Sequence, residues 1–403
     1  MNEWKKTLIS EVVWFQEGPG VRKNQYTTAG VKLINVANLQ DGKIDLTTSE
    51  RYISVEEANG RYKHFLVDPG DFIIASSGIK VEYFEKKMGF ISQDQLPLCM
   101  NTSTIRFKSI DEEELDMRFF MYCLKTKQFK EELVRQITGS AQLNFGPSHL
   151  KKMKIYYPRI CKQKQIVEVL DKANFLMEKR KLQIEKLDLL INSQFIEMFG
   201  KCREDKSNWV KSKLQDFCHI GSSKRVFTKE IVERGIPFLR GTEVGELAEE
   251  KLVKPKLFIT KTHYEELKKY TGVPALGDLL LPSICRDGRI WQVDTEEPFY
   301  FKDGRVLWIH IKGEISSTYL LYVLKEKLKC NYDDIASGTT FSELKIFALK
   351  DVKIPIPPIE LQNQFANFVN KVEKTKATLQ QSLTKMEQNY KSLMQKCFRG
   401  EIF

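Results

Sequence analysis

An aspartate followed at a distance by Glu-x-Lys is the order in which many metal-dependent nucleases carry two Mg²⁺-holding carboxylates and a lysine that orients the attacking water. Asp71 with Glu85-Lys86-Lys87 has that order. Two features weigh against the reading. Glu-x-Lys arises readily in a chain with 29% charged residues, and Asp71 sits in a Gly-Asp turn that returns at Gly277-Asp278 with no Glu-x-Lys at the same distance. Base methylation needs an Asn/Asp-Pro-Pro-aromatic stretch to hold the amino group of a flipped base. Pro357-Pro358 is preceded by Ile356, so that stretch is missing. Gly18-Pro19-Gly20 and Gly221-Ser222-Ser223-Lys224 lack the remaining residues of phosphate-cradling loops. Five histidines share no spacing with a nucleophile, and eight cysteines include no Cys-x-x-Cys pair. The residues therefore predict no catalytic group, no cofactor and no metal, and reduced, mostly buried thiols.

Other residues suit the reading of a nucleic acid. Arg and Lys recognise guanine, Asn and Gln recognise adenine, and Ser or Thr serve either, while lysines and glycines approach phosphates. Arg22, Lys23, Asn24 and Gln25 in the first half, and Ser222, Ser223, Lys224 and Arg225 in the second, fall at corresponding places after a first strand. Ser76, Ser77 and Lys80 parallel Ser283, Arg286 and Arg289 beside the Gly-Asp strands. Ser140, Gln142 and Asn144 complete the first set, and Thr339 and Thr340 the second. These nineteen positions are the candidate DNA-binding residues.

The elements that carry them are duplicated. The stretch Gly139 to Gly200 returns without insertion from Gly338 to Arg399, with Gln163 and Gln165 answered by Gln362 and Gln364, and a basic strand leaving through Pro158 or Pro357. More loosely, Gly30 to Leu39 answers Gly235 to Val244, and Pro69 to Ile74 answers Leu276 to Leu281. Each half reads as an α/β (α+β) domain of short mixed strands followed by a long helix. Apolar residues step by three and four along both helices, Ile166, Leu170, Ile184 and Leu187 on one and Phe365, Val369, Leu383 and Met386 on the other. Roughly 35 to 40 residues at ~1.5 Å rise exceed what one domain needs, so the stripes are expected to bury each other. Lys376 interrupts the second stripe.

The formal charge of +11 suggests a polyanionic partner, but the excess is spread thinly, 22 basic against 20 acidic side chains over residues 1–158. Charge alone would not hold DNA; base-edge contacts or partners must contribute. No run of about 18 apolar residues and no leader-like N-terminus occur, which predicts a soluble, cytoplasmic protein without membrane contact.

Taken together, the Gly30 and Gly235 strands, the segment Gly139 to Asn144, the Pro158 and Pro357 exits and the helix ending Ser193 to Gly200 resemble the specificity subunit of a type I restriction-modification enzyme over essentially the whole chain. The resemblance implies two target recognition domains, residues 1–158 and 201–357. A central helix (159–200) and a distal helix (358–403) would separate them as an antiparallel coiled coil with pseudo-twofold symmetry. It further implies a non-catalytic subunit that reads a bipartite, asymmetric target in double-stranded DNA. Two methyltransferase subunits would dock for adenine methylation, with a motor-nuclease subunit joining for restriction. The second copy carries Thr339 to Ser342 where the first has Gln142 and Asn144. A coiled-coil adaptor that does not read DNA is the alternative that the helices alone would permit; a nuclease on Asp71 and Glu85 is the remoter one.

Overall fold

Two fully buried apolar strands, Phe72–Ala75 and Leu279–Pro282, are the centres around which the chain folds. In this computed structural model, which describes residues 4–137, 143–201, 209–337 and 342–403, the contacts divide the chain into two compact units. The first comprises residues 1–180 with 382–403, the second residues 181–381. The units do not coincide with the halves of the sequence, because each takes a stretch of both long helices.

In the first unit a four-stranded antiparallel sheet runs in the order Val13–Glu17, Thr104–Ser109, Phe72–Ala75, Met88–Phe90. A three-stranded sheet places Val31–Ile34 between Leu98–Met100, parallel, and Tyr52–Ile53, antiparallel. The second unit repeats both. Its four strands are Cys218–Gly221, Val306–Ile311, Leu279–Pro282 and Trp291–Gln292, and its three are Phe258–Ile259, Ile236–Leu239 and Tyr300–Phe301. The duplicated glycines before the Val31 and Ile236 strands have a steric reason. A Cβ at Gly30 (φ 133°) would lie 2.1 Å from Ile53 O, and one at Gly235 (φ 149°) 2.3 Å from Ile259 O, far inside contact distance.

Each unit is closed by pairing the start of its domain with the strand that feeds a long helix: Lys5–Leu8 with Lys154–Tyr157, and Lys211–Lys213 with Lys353–Pro355. The helices that follow, Ile160–Phe199 and Ile359–Phe398, are each 40 residues long. Gln163 and Gln362 fix their first turns. Both are almost wholly buried. Gln163 accepts the Asp116 N–H and donates to Glu114 O and Pro158 O, while Gln362 accepts the Ser316 N–H and donates to Pro357 O. Asp116 and Ser316 are the N-caps of the amphipathic helices Met117–Lys125 and Ser317–Ile335. One buried amide therefore joins a strand exit, a helix start and a second helix's cap, which accounts for its repetition.

The two long helices run antiparallel where they meet in each unit. In the second, Asp188 faces Lys376 at 2.7 Å while Phe195 meets Phe365 with ring centroids 5.5 Å apart. In the first, Asn174 donates to Tyr390 Oη at 3.1 Å and to Tyr122 Oη at 2.9 Å, and Ile166 and Leu170 share a core with buried Cys397. Ile166, Leu170, Phe365, Val369 and Leu383 of the apolar stripe are buried, and Ile184, Leu187 and Met386 half-buried. Lys376 keeps its charge in the seam by meeting Asp188, Glu250 and Glu373. Among the described residues no helix is long and apolar enough to cross a membrane.

Candidate nucleic-acid interface

The register of each four-stranded sheet gathers most of the candidate residues at one end. In the first unit Glu17, Ala75 and Thr104 fall at the same edge, so the loops beyond them meet. Gly18 N donates to Thr104 O, Thr102 Oγ1 to Pro19 O, Ser76 N to Ser103 O, and Phe145 N to Ser76 O. The second unit repeats two of these links: Ser283 N donates to Arg305 O and Leu344 N to Ser283 O. The same backbone frame thus carries different side chains.

In the first unit Arg22, Lys23 and Asn24 are exposed, Arg22 as the N-cap of the short turn Lys23–Gln25 and the other two on it. Gln25 instead faces inward, donating to Glu57 at 2.8 Å and Tyr62 Oη at 3.0 Å. Ser76 is buried and its hydroxyl lacks a hydrogen-bond partner. Ser77 is half-buried and Lys80 exposed. Strand pairing brings Asn144 opposite Ser77, and its Oδ1 accepts the Gly78 N–H at 3.2 Å. Ser140 and Gln142 lie outside the described residues, as do Thr339 and Thr340 of the second set.

In the second unit the serine hydroxyls serve the fold. Ser222 donates to Val306 O at 2.7 Å and Ser223 to Phe301 O at 2.6 Å, while Ser283 is buried. Lys224 and Arg225 lie over exposed aromatic rings, Tyr270 at 3.8 Å and Phe227 at 5.3 Å. Arg286 pairs with Asp333 over the Tyr332 ring, and Arg289 Nε lies 2.6 Å from Asp287. These two guanidiniums are held in place by acids, whereas Lys224 and Arg225 present their charge beside apolar rings.

Two cations that the sequence reading did not single out line a cleft with Arg225: Lys302 and Arg305, on the turn entering the Val306 strand. Arg305 pairs with Glu343, whose other oxygen lies 3.1 Å from Lys345. Lys345, with Arg305 behind it, holds the Glu343 carboxyl below its usual range. The signal was available: the constant offset of the repeat places Glu343 where the first copy has Asn144.

The carboxylates of the nuclease alternative are both committed. Asp71 is 3% exposed, with Arg106 at 3.1 Å and Lys108 at 3.2 Å, and Glu85 meets Lys130 at 3.0 Å. Its counterpart Asp278 accepts from Trp308 Nε1 at 2.8 Å and lies 3.0 Å from His310 Nδ1. Residues Arg106 and Lys108 therefore correspond to Trp308 and His310. Such a buried acid braces the central strand against its neighbour in either unit. Among the described residues no group of three or more His, Cys, Asp or Glu is placed to hold a metal ion.

The family model described as "Type I restriction modification DNA specificity domain" matches residues 1–186 and again 206–388. A type I restriction enzyme specificity subunit of Haemophilus influenzae, S.HindORF215P, is 25% identical over 68% of this chain and 67% of its own. The MjaVIII specificity subunit of Methanocaldococcus jannaschii is 27% identical over 51% of this chain and 48% of its own, so the match spans about half of that relative. The MjaX specificity subunit of the same organism is 19% identical over 99% and 94%. Among solved structures, the S subunit of a type I restriction-modification system from M. genitalium superimposes with a TM-score of 0.55 at 16% identity, covering 98% of this chain and 96% of that one. A chain from a study of type I R-M complex assembly and conformational transition gives 0.60 at 16% identity, covering 99% and 98%.

Proposed function

Because the chain belongs to the type I restriction-modification DNA specificity family and is a non-catalytic specificity subunit, we propose that each unit reads one half of a bipartite, asymmetric target in double-stranded DNA. One observation carries this reading: two equivalent sheet ends, built on the same Ser76/Phe145 and Ser283/Leu344 backbone hydrogen bonds, hold non-matching polar and basic side chains. A duplicated frame with unlike fittings suits two unlike half-sites. The candidate contacts are Arg22, Lys23, Asn24, Ser77, Lys80 and Asn144 in the first unit, and Lys224, Arg225, Lys302 and Arg305 in the second. The domain limits 1–158, 159–200, 201–357 and 358–403 then describe two readers and two helices of a common spacer, whose length sets the gap between half-sites. Mapping methylated adenines in the host genome tests this. A two-part motif with a fixed gap is expected, and a single uninterrupted motif would overturn the reading.

The same proposal assigns partners: two methyltransferase subunits that carry out adenine methylation, and a motor-nuclease subunit for restriction. Apolar side chains left open on the central helix support docking. Phe175 and Leu176 are 60% and 56% exposed, and Leu182, Leu189 and Leu190 are 42%, 63% and 45% exposed. Within the second unit Leu182 and Leu189 stand seven residues apart, the repeat of a face that another helix can cover. An adaptor without DNA contact would use the same face. A gel shift of the assembled complex that weakens with salt separates that alternative from the DNA reader.

A further inference from the structure

The two units present opposite hydrogen-bonding character at one equivalent place. Phe145 N donates to Ser76 O in the first unit and Leu344 N to Ser283 O in the second, so the residues just before them, Asn144 and Glu343, are structural counterparts. Asn144 is exposed and its Oδ1 accepts the Gly78 N–H. With one lone pair of that oxygen engaged, the two amide hydrogens are the larger part of what it can offer outward. Glu343 is ionised and accepts only. Arg305 and Lys345 flank its carboxylate, yet each oxygen keeps a further lone pair. The two cations also offset the repulsion that a bare carboxylate would meet beside phosphates.

Building on the half-site reading, we propose that Asn144 and Glu343 are specificity-determining residues of opposite polarity. Asn144 donates to an acceptor on the major-groove edge, a purine N7, guanine O6 or thymine O4. Glu343 accepts from an exocyclic amine, N4 of cytosine or N6 of adenine, while Arg305 and Lys345 orient its carboxylate. The first half-site thus carries an acceptor where the second carries a donor.

The test compares methylation maps from hosts carrying the wild type, N144D or E343Q. N144D keeps the shape of the side chain and an oxygen for Gly78 while turning its outward donors into acceptors. The expected result is a change at one base pair of one half-site for N144D and at one base pair of the other for E343Q, with preference for the wild-type base falling about tenfold or more. An unchanged motif with methylation retained overturns the proposal. If a variant leaves no methylation, selection from a randomised duplex library by the purified chain decides: a consensus identical to that of the wild type overturns it, and a change confined to one position supports it. Failure of the underlying reading looks different, since the wild type itself would then yield no two-part motif.

Discussion

The carboxamide oxygen of Gln163 accepts the backbone N–H of Asp116 at 3.0 Å across 47 residues of sequence. The bond fixes the first turn of the central helix to the cap of a neighbouring helix, and the same amide donates to Glu114 O and Pro158 O. Gln163→Met keeps the length of the side chain but strands these three backbone groups. It should cost roughly 2–4 kcal/mol, since each unsatisfied buried group carries a penalty of about 1–3 kcal/mol that partial solvation reduces. Urea unfolding followed by circular dichroism would measure the loss, with exposed Gln165→Met as the control. Equal effects of the two variants would refute the assignment.

Lys376 stands in the second unit where the first has Met177, and its side chain is 14% exposed. Burial works against its charge, but Asp188 and Glu250 more than compensate and hold the ammonium above its usual range. Lys376→Met should destabilise the chain by about 1–3 kcal/mol, less than for a wholly buried pair because Asp188 and Glu250 are themselves more than half exposed. Thermal unfolding would report it. A gain in stability would show that the apolar stripe is complete without this charge.

Glu373 shares that cluster, and burial, reinforced by Glu250, raises its pKa above the ordinary 4.5. A raised folded-state pKa means that the folded chain holds the proton more tightly. The resulting stability is fully present below about 4.5 and is lost as pH rises through the elevated value. Glu373→Gln should flatten the stability profile in that window. Unfolding midpoints taken at closely spaced pH values would show this, and an undiminished slope would assign the dependence to another group.

The cleft formed by Arg225, Lys302 and Arg305 presents three cations beside one acid, Asp303. If Arg225 and Lys302 contact phosphates, log–log plots of duplex affinity against salt should lose about one unit of slope for each of these two replaced by alanine, with sequence preference retained. Fluorescence anisotropy with a labelled duplex gives the slopes. Unaltered slopes in Arg225→Ala and Lys302→Ala would remove the cleft from the interface.

Leu182 and Leu189 are exposed, so replacing both with serine should leave folding within about 0.5 kcal/mol of the wild type. If methyltransferase subunits dock across this face, as proposed, their binding should weaken by tenfold or more. Co-purification from the host and the far-ultraviolet spectrum of the variant are the two readouts. Undiminished co-purification would place the docking surface elsewhere.

Repetition made much of this architecture legible from residue types alone. Gly30 and Gly235 match because a side chain at either would strike a neighbouring carbonyl, and Gln163 and Gln362 match because each unites three elements. What escaped the sequence depends on partners distant along the chain. Asp71 was readable as a turn residue, but its bonds to Arg106 and Lys108 follow from strand register. Ser222 and Ser223 have the composition of a reading loop, yet their hydroxyls turn to backbone carbonyls. Arg305 and Glu343 lie 38 residues apart, and Ser283, bonded to the backbone of both Arg305 and Leu344, brings their segments together. The apolar spacing announced paired helices without revealing that each core borrows from the other half, as with Cys397 in the first and Phe195 in the second.

That borrowing imposes a schedule on biosynthesis. The core of the first unit, largely contained in residues 1–180, also needs residues 382–403, and the 201 residues of the second unit are translated in between. At about 5–20 residues per second, the nascent first unit waits roughly ten to forty seconds with the flank meant for Tyr390 and Cys397 still bare. A holding chaperone would find its opening there.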